Sequence, residues 1–166
     1  MDTVEQEELR DTILSMSDDE LLAHDIWFVA LGASELNHAG MMAFLRENRS
    51  KIRGAFMVNL SCIGAGALNM LTHEGLLNTR RTDRRVLRML TNIADDLHIP
   101  LERSNHAWEE TDATPAMRRS VRALTIMGLE NGVPALSHTA DDTADAIDPG
   151  QASDVAAMVT ELIRRA

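Results

Sequence analysis

Three chain-distant segments carry the residue types that do chemistry: Ser34-Glu35, Asn59-Leu60-Ser61-Cys62-Ile63-Gly64, and the run from His138 to Asp148 with Asp141, Asp142 and Asp145. Ser34 and Glu35 follow Ile26 to Leu31, which is apolar at every position, the pattern of a strand covered on both faces of a parallel sheet. Ligands of open α/β sheets bind in the crevice beyond such strand ends, so a carboxylate delivered there is a candidate for chemistry. The same two residues also read as a plain helix start, with Ser34 as cap and Glu35 as a first-turn acid favoured by the helix dipole. A third reading makes Ser34 a nucleophile, with His138 and Asp112 completing a triad. It fails on Leu36, which stands where the nucleophile elbow needs a second glycine. His38, His73, His98 and His106 show no ligand spacing to one another or to Cys62, so surface or helix-end roles are their default, and the lone cysteine reads as a small buried hydrophobe.

The elements that must position these residues follow from periodicity. Residues 3–16, with Leu9, Ile13 and Met16 at helical spacing, read as an acidic amphipathic helix, and Ser17-Asp18-Asp19-Glu20 as a capping box restarting it through Leu22. This front end, residues 1–24, forms a helical arm ahead of an α/β domain over 25–166. In that domain the Ile26 strand is followed by a helix from about Glu35 to Asn48, then apolar strands at 55–60 and 67–72. The strand, helix, strand order implies a right-handed parallel crossover. Thr82 to Leu97 has the clearest helical period and is stopped by Pro100; its arginines, Arg80, Arg81, Arg84, Arg85 and Arg88, read as its solvated face. An extended stretch at 101–108, a short helix at 115–120, a buried strand at 121–127, a loop at 128–132 and a terminal helix with Val155, Met158, Val159, Leu162 and Ile163 on one face complete the chain. The fold class is α/β, a mostly parallel sheet flanked by helices.

Composition narrows the function. The 166 residues suit one domain, and 45% hydrophobic with 25% charged residues is ordinary for a globular protein. No apolar run approaches a membrane span, and the acidic first ten residues are not a signal peptide, so the chain as it stands reads as cytoplasmic. A net charge of -10 and only three Phe, two Trp and no Tyr argue against nucleic acid.

The order of these motifs resembles the C-terminal part of the two-zinc aminopeptidases, the family that includes glutamate carboxypeptidases and the transferrin receptor. That family writes an apolar strand ending in Glu-Glu, then Asn-Leu-Asp-Met-Ile-Gly, then Ser-Asp-His, then His-Thr-x-x-Asp-Thr-x-Asp. The counterparts here are Ser34-Glu35, Asn59 to Gly64, Thr111-Asp112-Ala113 and His138 to Asp145. The resemblance implies a zinc-exopeptidase-like fold truncated on its N-terminal side, with Glu35 and His138 as residual zinc ligands. It puts Ser34 where the family has its general base and Ser61 where an aspartate binds the other zinc. The remaining ligands lie upstream of the strand in the family, and His24 has no His-x-Asp context. The expectation is therefore a truncated or degenerate metallopeptidase without turnover as it stands, binding zinc weakly or not at all. The alternatives are a protein- or peptide-binding module and an active hydrolase using Ser34 or a single metal. Self-association, or a missing N-terminal portion, would cover the edge that truncation exposes. Family members are often secreted or membrane-anchored.

Overall fold

The computed structural model describes residues 11, 25–76, 78–106 and 109–166, with the backbone alone at His106. The acidic arm over 1–24 lies outside the described residues apart from Asp11. The elements run α1 (Ala39–Glu47), β1 (Phe56–Ser61), β2 (Ala67–Glu74), β3 (Arg80–Arg81), α2 (Arg84–Leu97), β4 (Glu102–His106), α3 (Ala113–Arg118), β5 (Arg122–Glu130), β6 (Val133–Pro134), a 3-10 turn (Ala144–Ala146) and α4 (Pro149–Arg165).

The two long helices are set by local chemistry. Asp83 caps α2 by accepting from the Arg85 and Val86 amides at 2.9 and 3.2 Å. His98 closes it in the left-handed conformation, two residues before Pro100. Its stripe of Val86, Leu90, Ile93 and Ala94 is buried. Asp148 caps α4 through the Gly150 amide at 2.8 Å, Pro149 occupies the first turn, and Arg164 and Arg165 end the helix where its dipole favours cations.

The strands form one mixed sheet in the order β1-β5-β2-β3, with β4 beside β2 and β6 beside β5. β1 and β5 run parallel over their whole contact, Phe56 against Arg122 to Ser61 against Met127, and β2 runs parallel to β4; β2 meets β5 antiparallel. Alternation along the strands separates two layers. Phe56, Val58 and Leu60 with Leu124, Ile126, Leu68 and Met70 face α2 and α4. Met57 on the opposite face packs with Met41 and Leu45 of α1 and Ala116 of α3. The functional residues below lie on this second face.

The sequence reading fails at the Ile26 run. Residues 25–33 form no strand, so the crossover expected between an Ile26 strand and β1 is not made. Their apolar content has a different cause: the run touches both core layers, Ile26 reaching the α2/α4 cluster and Leu31 the α1 cluster. Trp27 sits edge-on to Phe44 at 6.2 Å and under Lys51 Nζ at 5.6 Å, yet stays 48% exposed. Contact with two layers writes an apolar sequence whether or not ladder bonds form. Helix α1 also begins four residues later than its periodicity implies, because Ala33, Asn37 and His38 take positive φ and wind residues 33–38 into turns, closed by His38 N–H to Ser34 O at 3.0 Å. Ser34 is thus not the helix cap, and the cap position, His38, makes no side-chain capping bond. The short helix α3 starts two residues earlier than expected, and β5 continues through Gly128 to Glu130 where a loop was expected.

Gly128 explains why β5 can run on beside the turn after β1. A Cβ there would collide with the carbonyl oxygens of Ala65 and Cys62, both backbone atoms, and Cys62 O accepts the Gly128 amide at 3.1 Å. Gly128→Ala is expected to cost about 3 kcal/mol or more by overpacking, read as a lower urea midpoint with unchanged slope. A midpoint within error of the parent would show that the turn yields freely.

Candidate functional site

Asp112 is the hub of the polar residues on the α1/α3 face. It precedes α3, and its carboxylate takes the His38 Nδ1–H at 2.8 Å and the Ser34 hydroxyl at 3.3 Å. The His38 and Asp112 side chains are only 12% and 17% exposed. The left-handed turns at residues 33–38 are what swing both Ser34 and His38 toward Asp112. Two of the three residues of the expected triad therefore meet, but the order is wrong for nucleophilic catalysis. A serine nucleophile needs the imidazole between itself and the carboxylate; here the carboxylate stands between hydroxyl and imidazole. His138 pairs instead with Glu35.

Beneath Asp112 lies a residue that the sequence reading passed over. Glu74, at the end of β2, is 0% exposed. Its carboxylate accepts from the hydroxyls of Thr111, of Thr114 at 3.1 Å and of Thr125 at 3.0 Å. Thr125 is also reached by Asn59 Nδ2 at 3.3 Å, and Thr111 Oγ1 takes the Ala113 amide at 3.1 Å, so one network ties β1, β2, β5 and α3 together. Burial pushes the Glu74 carboxyl above its ordinary value, opposed by the three threonine bonds and by the nearby charge of His38. A glutamate closing an apolar strand was the available signal. It was obscured because Thr72-His73-Glu74 looks like a strand leaving the core.

Of the residues expected at a metal, Glu35 and His138 do come together, Oε1 to Nε2 at 3.8 Å. Both are largely exposed, at 78% and 67%. Ser61, at the end of β1, lines the same cavity as Glu35 and His138, half-buried, its hydroxyl 3.8 Å from Cys62 Sγ. Among the described residues no three His, Cys, Asp or Glu side chains converge as a metal site. Asp141, Asp142 and Asp145 are exposed on the polar segment ahead of α4.

The raised Glu74 pKa has a direction that can be tested. The folded protein keeps this proton to higher pH than the unfolded chain does. Its stabilising contribution is therefore complete below the ordinary value of 4.5 and is lost as pH rises through the raised folded value. Glu74→Gln removes the titration while keeping the shape, so as pH rises above the ordinary value of 4.5 the variant should lose less stability than the parent in urea unfolding. Parallel profiles would mean that Glu74 ionises alike in both states.

Comparison with known proteins bears on what this site belongs to. Residues 12–163 match Peptidase family M28. Among solved structures, the LapA aminopeptidase of Legionella pneumophila is similar with a TM-score of 0.64 and 13% identity, over 86% of this chain and 41% of that one. An aminopeptidase from Aneurinibacillus sp. strain AM-1 gives 0.63 and 22% over 82% and 32%. The glutaminyl cyclase of an Acidobacteriales bacterium gives 0.56 and 20% over 76% and 44%. The chain thus spans less than half the length of these three structures, and identities this low show a shared fold. No curated protein matches. No described helix is long and apolar enough to cross a membrane. With the family match extending over nearly the whole sequence and the sheet-and-helix architecture of the aminopeptidases in place, the chain belongs to Peptidase family M28.

Proposed function

We propose that this chain, as it stands, is a degenerate M28 domain without peptidase turnover of its own. The observation that carries this reading is the Ser34 hydroxyl donating to Asp112 at the position where the resemblance places the general base. A hydroxyl does not take a proton from water near neutral pH, and this one is held as a donor. The family's zinc does not fit the described donors either. A catalytic zinc takes about three protein ligands and leaves one position open. Among the described residues Glu35 and His138 approach each other as a largely exposed pair, and no third His, Cys, Asp or Glu joins them as a metal site. Asp112, the nearest further carboxylate in the motif order, is already shared between His38 and Ser34.

Two measurements follow. Calorimetric titration with zinc should give binding weaker than about micromolar, unchanged by His138→Ala; tight one-to-one binding lost in that variant would overturn the reading. Ser34→Glu should still give no zinc-dependent cleavage of aminoacyl substrates, since restoring a base leaves the metal donors short. Turnover in that variant would show that the donors suffice.

A second reading, binding of polypeptide in place of hydrolysis, is favoured by the groove between residues 25–31 and β1. It is part of a cavity of about 1520 Å³ lined here by Ile26, Phe28, Lys51, Phe56, Val58 and Leu60, which continues to Ser34, His38, Asp112 and His138. Among the described residues β1 pairs with β5 alone, so its outer row of amides and carbonyls is open to an added strand. A second copy of this chain meets that requirement directly, which makes the protein a dimer. Light scattering should report that dimer, and Trp27→Asp with Phe28→Asp should return it to monomer; a parent that is monomeric on dilution removes this reading.

A further inference from the structure

Arg80, Arg81, Arg84, Arg85 and Arg88 are all exposed, and none makes an ion pair or side-chain hydrogen bond among the described residues. Among the described residues most other arginines are engaged, Arg49 and Arg53 excepted. Arg118 pairs with Glu110, Arg165 reaches Asp96 at 2.8 Å, and Arg103 and Arg122 bond Thr91 and the Gly54 carbonyl. Arg84 and Arg88 lie one turn apart on α2 with Arg85 between them, so these three share one side of the helix, while Arg80 and Arg81, successive residues of β3, point to opposite faces of the sheet. The link between β3 and α2 is pinned to β2 by Thr82, whose amide bonds Thr72 O at 3.1 Å and whose hydroxyl bonds Leu71 O at 2.5 Å. Asp83, the single acid within this stretch, keeps its negative charge while it caps the first turn of α2, so one carboxylate offsets part of the arginine charge and the amino end of the helix is already satisfied.

Like charge gathered on a surface is costly to fold, and mixed signs are the usual arrangement. The rest of this protein is strongly acidic, with a net charge of -10 that already includes these five arginines. We infer that the face of α2 carrying Arg84, Arg85 and Arg88 docks an acidic polypeptide segment, its carboxylates on the arginine forks. Arginine pairs with carboxylates two bonds at a time, which gives such a patch register as well as attraction. A short acidic segment fits the charge distribution better than a duplex or a bilayer. Either of those would extend past the patch and bring its anions within a Debye length, about 8 Å at physiological salt, of the acidic remainder.

The test uses a fluorescent oligoglutamate peptide and the whole chain, followed by anisotropy at low and at physiological salt. Binding should weaken as salt rises. Arg84→Glu with Arg88→Glu should weaken it about tenfold or more, given up to about 1 kcal/mol for each exposed pair and an added repulsion. Arg49→Glu with Arg53→Glu, equally exposed but remote in the chain, should leave it within about twofold. Circular dichroism of both variants guards against loss of fold. Absence of binding at low salt, or equal weakening in the two variants, overturns the inference. So does tighter binding of a short DNA duplex or of phosphatidylserine vesicles through the same arginines.

Discussion

A carboxylate with no access to water sits at the centre of this fold, and three threonine hydroxyls make it tolerable. Leaving a buried charge short of partners costs several kcal/mol, so Glu74 obliges Thr111, Thr114 and Thr125 to stay in place. Each of those threonines belongs to a different part of the chain: the loop before α3, α3 itself, and β5. Their joint anchoring on Glu74 fixes where α3 begins, and the residue immediately before α3 is Asp112. The geometry of the surface residues is therefore inherited from a polar interaction inside the core. Ser34 and His38 meet at a carboxylate whose own position is decided one layer deeper.

That inheritance explains which parts of the molecule could be read from the sequence. The elements that depend on local periodicity and stops were legible. Helix α2 has its apolar stripe and its Pro100 stop; β1, β2 and β5 are short apolar runs ended by glycine or polar residues; α4 has one apolar face and arginines at its end. The M28 motif order was also legible. What was not legible depends on contacts between distant segments. The Ile26 run is apolar because it touches two core layers, a cause that produces the same pattern as a covered strand. The left-handed turns at Ala33, Asn37 and His38 have no glycine to announce them, and they decide that Ser34 faces Asp112 instead of capping α1.

The site also separates two properties that a motif reading joins. In the family order, the motif residues would act as a set. Here they are divided between two places: Asp112 is absorbed into a partly buried cluster with Ser34 and His38, while Glu35 and His138 face solvent. A buried, cross-braced cluster of this kind holds structure well and exchanges ligands poorly. An exposed pair does the reverse. The proposal of a degenerate domain rests on this division between a braced cluster and an exposed pair.

One of those surfaces depends on a single amine. Lys51 is the chain's only lysine, and its ammonium lies over the Trp27 ring in the lining of the groove. A contact of that type is worth about 0.5–1 kcal/mol at an exposed position and depends on the charge being present. Acylation of lysine, whether by a reagent or by an enzyme, thus has one side-chain target in this protein. Neutralising that amine would release the indole from its cation and loosen the wall formed by residues 25–31, while leaving the Glu74 network untouched. Covalent chemistry at one atom would thereby address the groove separately from the core.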